Sequence, residues 1–276
     1  MAPPAAASLD PFPTVWDPNS RIGDMLRGKR GLVVGIANQD SIAYGCAGKL
    51  RAFGAELAIT YLNEKAEAFV RPLAQRIDAS LILPLDVEKP GQLEAVFERI
   101  AQEWGRLDFL IHSIAFAPRQ DLHGRVVDCS REGFLKAMDI SCYSFIEMSR
   151  RAEPLMINGG TLITMSYYGA DKVIGNYNVM GPVKAALEAV SRYMAYELGP
   201  KRIRVFAVSP GPLKTRAASG IAQFDELIEE ATRRAPAQRL VDIAEVGRIV
   251  GFLVSEAASG MTGQVIYIDA GLHIVG

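Results

Sequence analysis

Seven apolar runs of strand length, each followed by an amphipathic stretch, limit what this chain can fold into. They read GLVVGIA (31–37), ELAITY (56–61), LILPLD (81–86), LDFLIHSI (107–114), GTLITMS (160–166), IRVFAVSP (203–210) and QVIYIDA (264–270). Between them, helical spacing runs through Ala47 and Leu50 to Phe53, over 64–77, 91–104 and about 131–151, and along a stretch near Lys184. Strands that are apolar throughout need cover on both faces, and intervening helices make them parallel. The expected fold is α/β, a single doubly wound domain with a seven-stranded parallel sheet and helices on both faces. No linker or fixed-period repeat interrupts the pattern after residue 30, so the domain is expected to span 29–276.

A chain of 276 residues suffices for one large domain with a substantial core. Its net charge of −1 gives no global basic field, which argues against nucleic acid as a partner. Cys46, Cys129 and Cys142 are odd in number and widely spaced, and His112, His123 and His273 are scattered. That usage fits a reducing cytoplasm and offers neither a disulfide framework nor a metal site. The longest apolar runs are too short to span a membrane. Residues 1–28 are expected to form a flexible extension. Its first twenty, MAPPAAASLDPFPTVWDPNS, are proline-rich and lack the basic start of a secretory signal.

In a doubly wound sheet, ligands sit beyond the carboxyl ends of the strands, so chemistry is sought there. The first strand ends at Gly35, in a turn reading GIANQDSIAYG. Ala37 stands where a G-x-G-x-x-G turn has its second glycine. Gly35 still permits a tight turn, Ser41 offers a hydroxyl, and the N–H groups of Ser41 and Ile42 open a helix toward an anion. At the third strand end, Asp86 is placed to accept a hydrogen bond from an adenine amino group, with Val87 beside it. At the fourth, Ser113, Ile114 and Ala115 are small enough for a ribose to lie close, and Ala117 follows.

Three tyrosines precede the helix that carries Lys184: Tyr167, Tyr168 and Tyr177. Together with Lys184 and the SPGPLKT turn, the strand-end residues resemble the short-chain dehydrogenase/reductase superfamily, from Lys29 over nearly the whole chain. Ordinary members carry a tyrosine four residues before the lysine, and here that place holds Met180. The set GIANQDSIAYG, HSIAFAP, SYYGADK, NYNVMGPVKAALE and RAASGI, in that order, resembles the bacterial enoyl-acyl-carrier-protein reductases of the NADH-using type. The resemblance implies a Rossmann-type domain that reduces the trans-2 double bond of an enoyl thioester in fatty-acid elongation. A homotetramer is implied by resemblance alone.

Moving the tyrosine has a chemical rationale. Ketone reduction needs an acid beside the carbon that receives hydride, whereas reduction of an unsaturated thioester puts charge on the more distant carbonyl oxygen. Seven residues of helix turn through about 700°, so Tyr177 and Lys184 would face nearly the same way, roughly 10 Å apart in rise. Pro182 is tolerated only in a first helical turn, which places Tyr177 at or just before the helix start. The resemblance gives Lys184 to the nicotinamide ribose and Tyr177 to the thioester carbonyl. Tyr167 fits either a second pocket tyrosine that assists proton delivery or a packing aromatic. Tyr168 and Lys172 match the ordinary spacing but fall on a loop away from the site, and are read as coincidence.

At the end of the second strand, Leu62 and Asn63 provide no arginine for a 2′-phosphate, which favours NADH. By resemblance, Gly211, Pro212, Leu213 and Thr215 embrace the nicotinamide amide and pyrophosphate. Beyond them Ala217, Ala218, Ile221 and Phe224 form a wall for an acyl chain, or else pack as an ordinary surface helix. This segment, to about Arg234, is expected to order on ligand binding. Family members carry basic residues here for the acidic carrier protein, whereas this chain has Ala222, Asp225 and Glu226. A ketone or alcohol dehydrogenase and a non-catalytic nucleotide sensor are the competing classes. Met180 argues against the first and Tyr177 against the second.

Overall fold

The computed structural model describes residues 24–213, 215 and 224–275. Seven strands form one parallel sheet: β1 (Arg30–Val34), β2 (Glu56–Tyr61), β3 (Leu81–Pro84), β4 (Phe109–His112), β5 (Gly160–Met165), β6 (Ile203–Pro210) and β7 (Gln264–Ile268). Their spatial order is β3-β2-β1-β4-β5-β6-β7. The chain steps outward from β1 to β3, then returns to the other side of β1, so the switch point lies between β1 and β4.

Helices cover both faces, as the apolar strands require. On one side α1 (Ile42–Ala52), α2 (Glu64–Arg76) and α9 (Ile243–Val254) bury Leu50, Val70 and Val250 against Val33, Ile59 and Ile111. On the other, α3 (Gln92–Trp104), α6 (Ser144–Ala152) and α7 (Met180–Leu198) bury Phe97, Phe145 and Leu187 against Leu32, Leu110 and Leu162. Each fully buried side chain of this size contributes about 1.5–3 kcal/mol. Among the described residues the remaining α-helices are the short α4 (Arg119–Leu122) and α5 (Arg131–Met138), and α8 (Phe224–Arg234).

The helix expected over 131–151 is not uniform. A π-turn at Asp139–Tyr143 joins α5 to α6 and carries the buried Ser141 and Cys142. Such turns inside helices commonly mark functional sites. On the opposite face, α1 and α9 cross through glycines. A Cβ on Gly45 would lie 2.4 Å from the Ile243 carbonyl oxygen, and one on Gly247 would lie 2.5 Å from that of Gly45. That close crossing fixes α1, and with it the turn before it, against the body of the domain.

Candidate active site

The crevice at the switch point begins with a position only glycine can fill. Gly35 has φ 109°, and a Cβ there would meet the Ser113 carbonyl oxygen at 2.0 Å. Omitting that carbon lets the turns after β1 and β4 come together. Ser41 begins α1, but its hydroxyl is engaged within the turn rather than directed at an anion. It accepts from the Ala37 and Asn38 amides, both at 3.0 Å, and donates to Asn38 Oδ1 at 3.1 Å. Contrary to expectation the Ser41 amide is not open either, since it donates to the Asn38 carbonyl at 3.2 Å. The Ser41 side chain does not cap α1, so among the described residues the first amides from Ile42 and the positive end of the helix dipole remain for an anion.

The neighbouring strand ends add side chains. Asp86 is half-buried and accepts the Glu88 amide through Oδ1. Val87 and Ile114 pack on the core, while Leu62 is 53% exposed beyond β2. Asn63 caps α2 by accepting the Ala66 amide, and Arg71 is ion-paired with Glu67. At β6, Gly211 donates to the Ile268 carbonyl and fits closely beside Asp269; Pro212 and Leu213 are buried. Thr215 donates its amide to the Leu213 carbonyl. The crevice fits a dinucleotide: close backbone at Gly35, an open helix start, a carboxylate at Asp86, and the small residues Ser113 and Ala115.

Between β5 and α7 the site is built from side chains. Tyr177 precedes α7, and Pro182 falls in the first turn of that helix, as proline geometry demands. Asn176 (φ 63°) and Asn178 (φ 44°) flank Tyr177 in the left-handed region, which asparagine tolerates better than most residues. Asn178 Nδ2 donates to the Leu122 carbonyl at 2.6 Å and anchors the turn. The Tyr177 and Tyr167 rings meet at 4.8 Å between centroids, across Gly169, where a Cβ would strike the Tyr177 ring at 2.6 Å. Met180, at the ordinary tyrosine position, is buried in the core.

The electrostatics follow from burial. Tyr177 is 9% exposed, and desolvation pushes its phenol, like that of Tyr167, well above the usual tyrosine value. Both are protonated donors at neutral pH. Lys184 is 4% exposed, and desolvation holds it down to about 8. Its ammonium donates to the Met165 carbonyl at 2.6 Å, which leaves further donor capacity. Behind it, His112 bridges Thr164 Oγ1 and Ser144 Oγ at 2.9 and 2.8 Å. Burial, with the Lys184 charge second, lowers His112 to about 3 and keeps it neutral.

Residues 35–273 match the family model described as enoyl-(acyl carrier protein) reductase. The chain belongs to the enoyl-acyl-carrier-protein reductase family. It is 45% identical over 252 residues to NADH enoyl-acyl-carrier-protein reductase 1 of Rhizobium meliloti (strain 1021), covering 91% of this chain and 93% of that one. Identity to the NADH reductase of Nostoc sp. is 48% over 254 residues, covering 91% and 98%. The Anaplasma phagocytophilum reductase, solved in complex with NAD, superposes with a TM-score of 0.89 at 44% identity, covering 93% and 98%. The Bacillus cereus reductase, solved with NADP+ and an indole naphthyridinone, gives 0.90 at 45% identity, covering 92% and 99%.

Within this reductase, Tyr167 and Tyr177 meet ring to ring, Lys184 bonds the Met165 carbonyl two residues before Tyr167, and Gly35 lies against Ser113 where the turns after β1 and β4 meet. Tyr168 differs from expectation. It does not stand on a surface away from the site: its ring meets Tyr167 edge-on at 4.7 Å and joins a small cluster with Ala231, Ala235 and Leu272. Lys172 is exposed beside Asp171. Ala217, Ala218, Ile221, Ala222 and the Phe224 side chain lie outside the described residues. Ser141 was not singled out from the sequence. Its buried hydroxyl accepts the Phe116 amide at 2.9 Å and donates to the Phe116 carbonyl at 3.1 Å, fixing the segment after β4 that leads to Ala117.

Proposed function

We propose that this protein reduces the trans-2 double bond of an enoyl thioester on acyl carrier protein, with NADH as hydride donor, in fatty-acid elongation. The observation that carries the reading is the displaced tyrosine. Tyr177 stands ahead of α7 while Met180 lies buried where a ketone reductase would have its phenol. The reduced nicotinamide, when bound, supplies the hydride. Tyr177, held protonated by burial, donates a hydrogen bond to the thioester oxygen as negative charge develops there, a contribution of about 3–4 kcal/mol. Lys184, anchored on Met165, orients the nicotinamide ribose, and Tyr167 stands against Tyr177 as a second phenol for proton delivery. Gly35, Ala37 and the start of α1 receive the pyrophosphate, and Asp86 the adenine. Ala117 and Tyr167 line the acyl side. Leu62 beyond β2 supports NADH over NADPH, since it brings no cation to a 2′-phosphate.

The reading extends to assembly and compartment. Phe134, Leu135, Tyr143, Tyr193 and Tyr196, all on α5, the π-turn or α7, are exposed apolar side chains, and they support self-association as a homotetramer. Among the described residues no helix is long and apolar enough to cross a membrane. Cysteine usage without a disulfide framework supports a cytoplasmic location. The carrier is not assigned to α8. Glu226, Glu229 and Glu230 line that helix, and Arg233 and Arg234 both pair with Glu230.

The test is NADH oxidation with a crotonyl thioester set against a panel of ketones. Turnover of the thioester with the ketones inert is expected; preferential ketone reduction overturns the reading.

A further inference from the structure

Lys184 and Glu188 lie one turn apart on the same face of α7. Glu188 is only 8% exposed, and a buried carboxylate demands partners. Its Oε1 accepts the Ser166 hydroxyl at 2.5 Å, while Lys184 donates to the carbonyl of Met165 at 2.6 Å. Two successive residues at the end of β5 are thus tied to two successive turns of α7. The residue after them is Tyr167. The Ser166 amide also donates to the Val208 carbonyl at 2.7 Å, so the tie reaches β6.

We propose that Glu188 is a positioning residue for the reaction: one turn from Lys184 on the same buried face of α7, its carboxylate supports the lysine and, through Ser166, fixes the strand end that carries Tyr167. The assignment rests on the reductase reading above. Burial lowers Lys184 most, and Cys142 on the π-turn and then Glu188 act against it. Burial also raises the Cys142 thiol above its usual value, which leaves the carboxylate as the stronger acid of the two, while His112 on β4 stays neutral. Glu188 itself lies above the usual carboxylate value because of burial, with Asp171 adding to that, while the Ser166 hydrogen bond, Arg192 and Lys184 favour the carboxylate. Tyr177 and Tyr267 sense its negative charge, which raises both phenols further.

The sign of the pH effect is fixed by these charges. Lys184 is ammonium below its pKa and loses that charge as pH rises through about 8. A negative Glu188 raises the Lys184 value, so neutralising the carboxylate must lower it. The experiment measures NADH affinity and crotonyl-thioester turnover of the full chain across the neutral and alkaline range. Wild type should lose NADH affinity along a limb near pH 8. Glu188→Gln, which keeps an acceptor for Ser166, should move that limb down by about one pH unit. Ser166→Ala removes the tie but not the charge, so kcat should fall several-fold with the limb in place.

An unmoved limb in Glu188→Gln, or the same displacement in Ser166→Ala, reduces Glu188 to a packing role and overturns the proposal. If Glu188→Gln does not fold, the carboxyl 13C resonance of Glu188 in the unmodified enzyme serves instead. It should show an inflection at the pH of the kinetic limb, and a flat signal there overturns the coupling. NADH binding is read apart from turnover, so thioester inactivity with an intact pH-dependent binding limb counts against the reductase reading alone.

Discussion

The two halves of the carboxyl edge are built by different means. Around β1, β2 and β4 the site is backbone: a glycine that cannot bear a Cβ, an uncapped helix start, small residues, and an exposed Leu62. Between β5 and α7 it is side chain: a buried phenol against a half-buried one, with a buried lysine and glutamate, tied to one another or to the strand end. The difference matches the tasks. Holding a dinucleotide needs close approach and amide donors, which displaced ionisations would not improve. Stabilising a transient charge needs protonated donors in a dry pocket, where each interaction is stronger than in water.

The largest effect should come from the backbone half. Gly35→Ala places a methyl group 2.0 Å from the Ser113 carbonyl oxygen at φ 109°. The β1 and β4 turns would have to separate, at a cost of about 4 kcal/mol or more, among the severe outcomes for a point change. Thermal unfolding and NADH titration check it together. A folded variant that binds NADH normally would show that the crevice tolerates a side chain.

Next comes the side-chain half. Tyr177→Phe keeps the ring against Tyr167 and removes only the hydroxyl, so stability and NADH affinity should survive. Loss of a donor contributing about 3–4 kcal/mol should lower kcat by roughly two to three orders of magnitude. Single-turnover reduction of a crotonyl thioester measures this. A near-normal rate would mean that Tyr167 or water serves as the donor.

How much of each half was legible in the sequence follows the same division. The strands stood out because burial on both faces makes them continuously apolar, though LDFLIHSI shrinks to Phe109–His112 and QVIYIDA to Gln264–Ile268. Gly35 and Tyr177 were legible because each sits beside a local constraint, the tight turn in one case and Pro182 in the other. Glu188 was not, since an acidic residue on an amphipathic helix reads as solvated until its tertiary partner is known. Ser141 was hidden for a related reason: the π-turn that aims it at Phe116 leaves no periodic signal. Tyr168 was misplaced because the cluster with Ala231 and Leu272 joins residues distant in sequence.

A smaller effect is expected at the exposed edge of the backbone half. Leu62→Arg sets a guanidinium beyond β2, where a 2′-phosphate would lie. An exposed charge pair contributes at most about 1 kcal/mol. The ratio of kcat/KM for NADPH over NADH should therefore rise roughly fivefold, with turnover on NADH little changed. An unchanged ratio would place the adenosine ribose elsewhere.

The smallest effect tests where the side-chain half ends. Tyr168 touches Tyr167, yet its ring packs toward α8 and the C-terminal segment rather than toward Lys184. Burial raises its phenol, and the hydrogen bond to Tyr167 acts the other way. Tyr168→Phe keeps the ring in the cluster and removes that bond, a loss of about 1 kcal/mol from a group outside the reacting atoms. Because Tyr167 is held from its other side by Tyr177, kcat should change by less than about threefold and the pH profile should keep its alkaline limb. Steady-state rates of Tyr168→Phe and Tyr177→Phe, measured side by side, decide it. A dead Tyr168→Phe beside a near-normal Tyr177→Phe would return the chemistry to the ordinary four-residue spacing with Lys172, and the reductase reading would lose its main support.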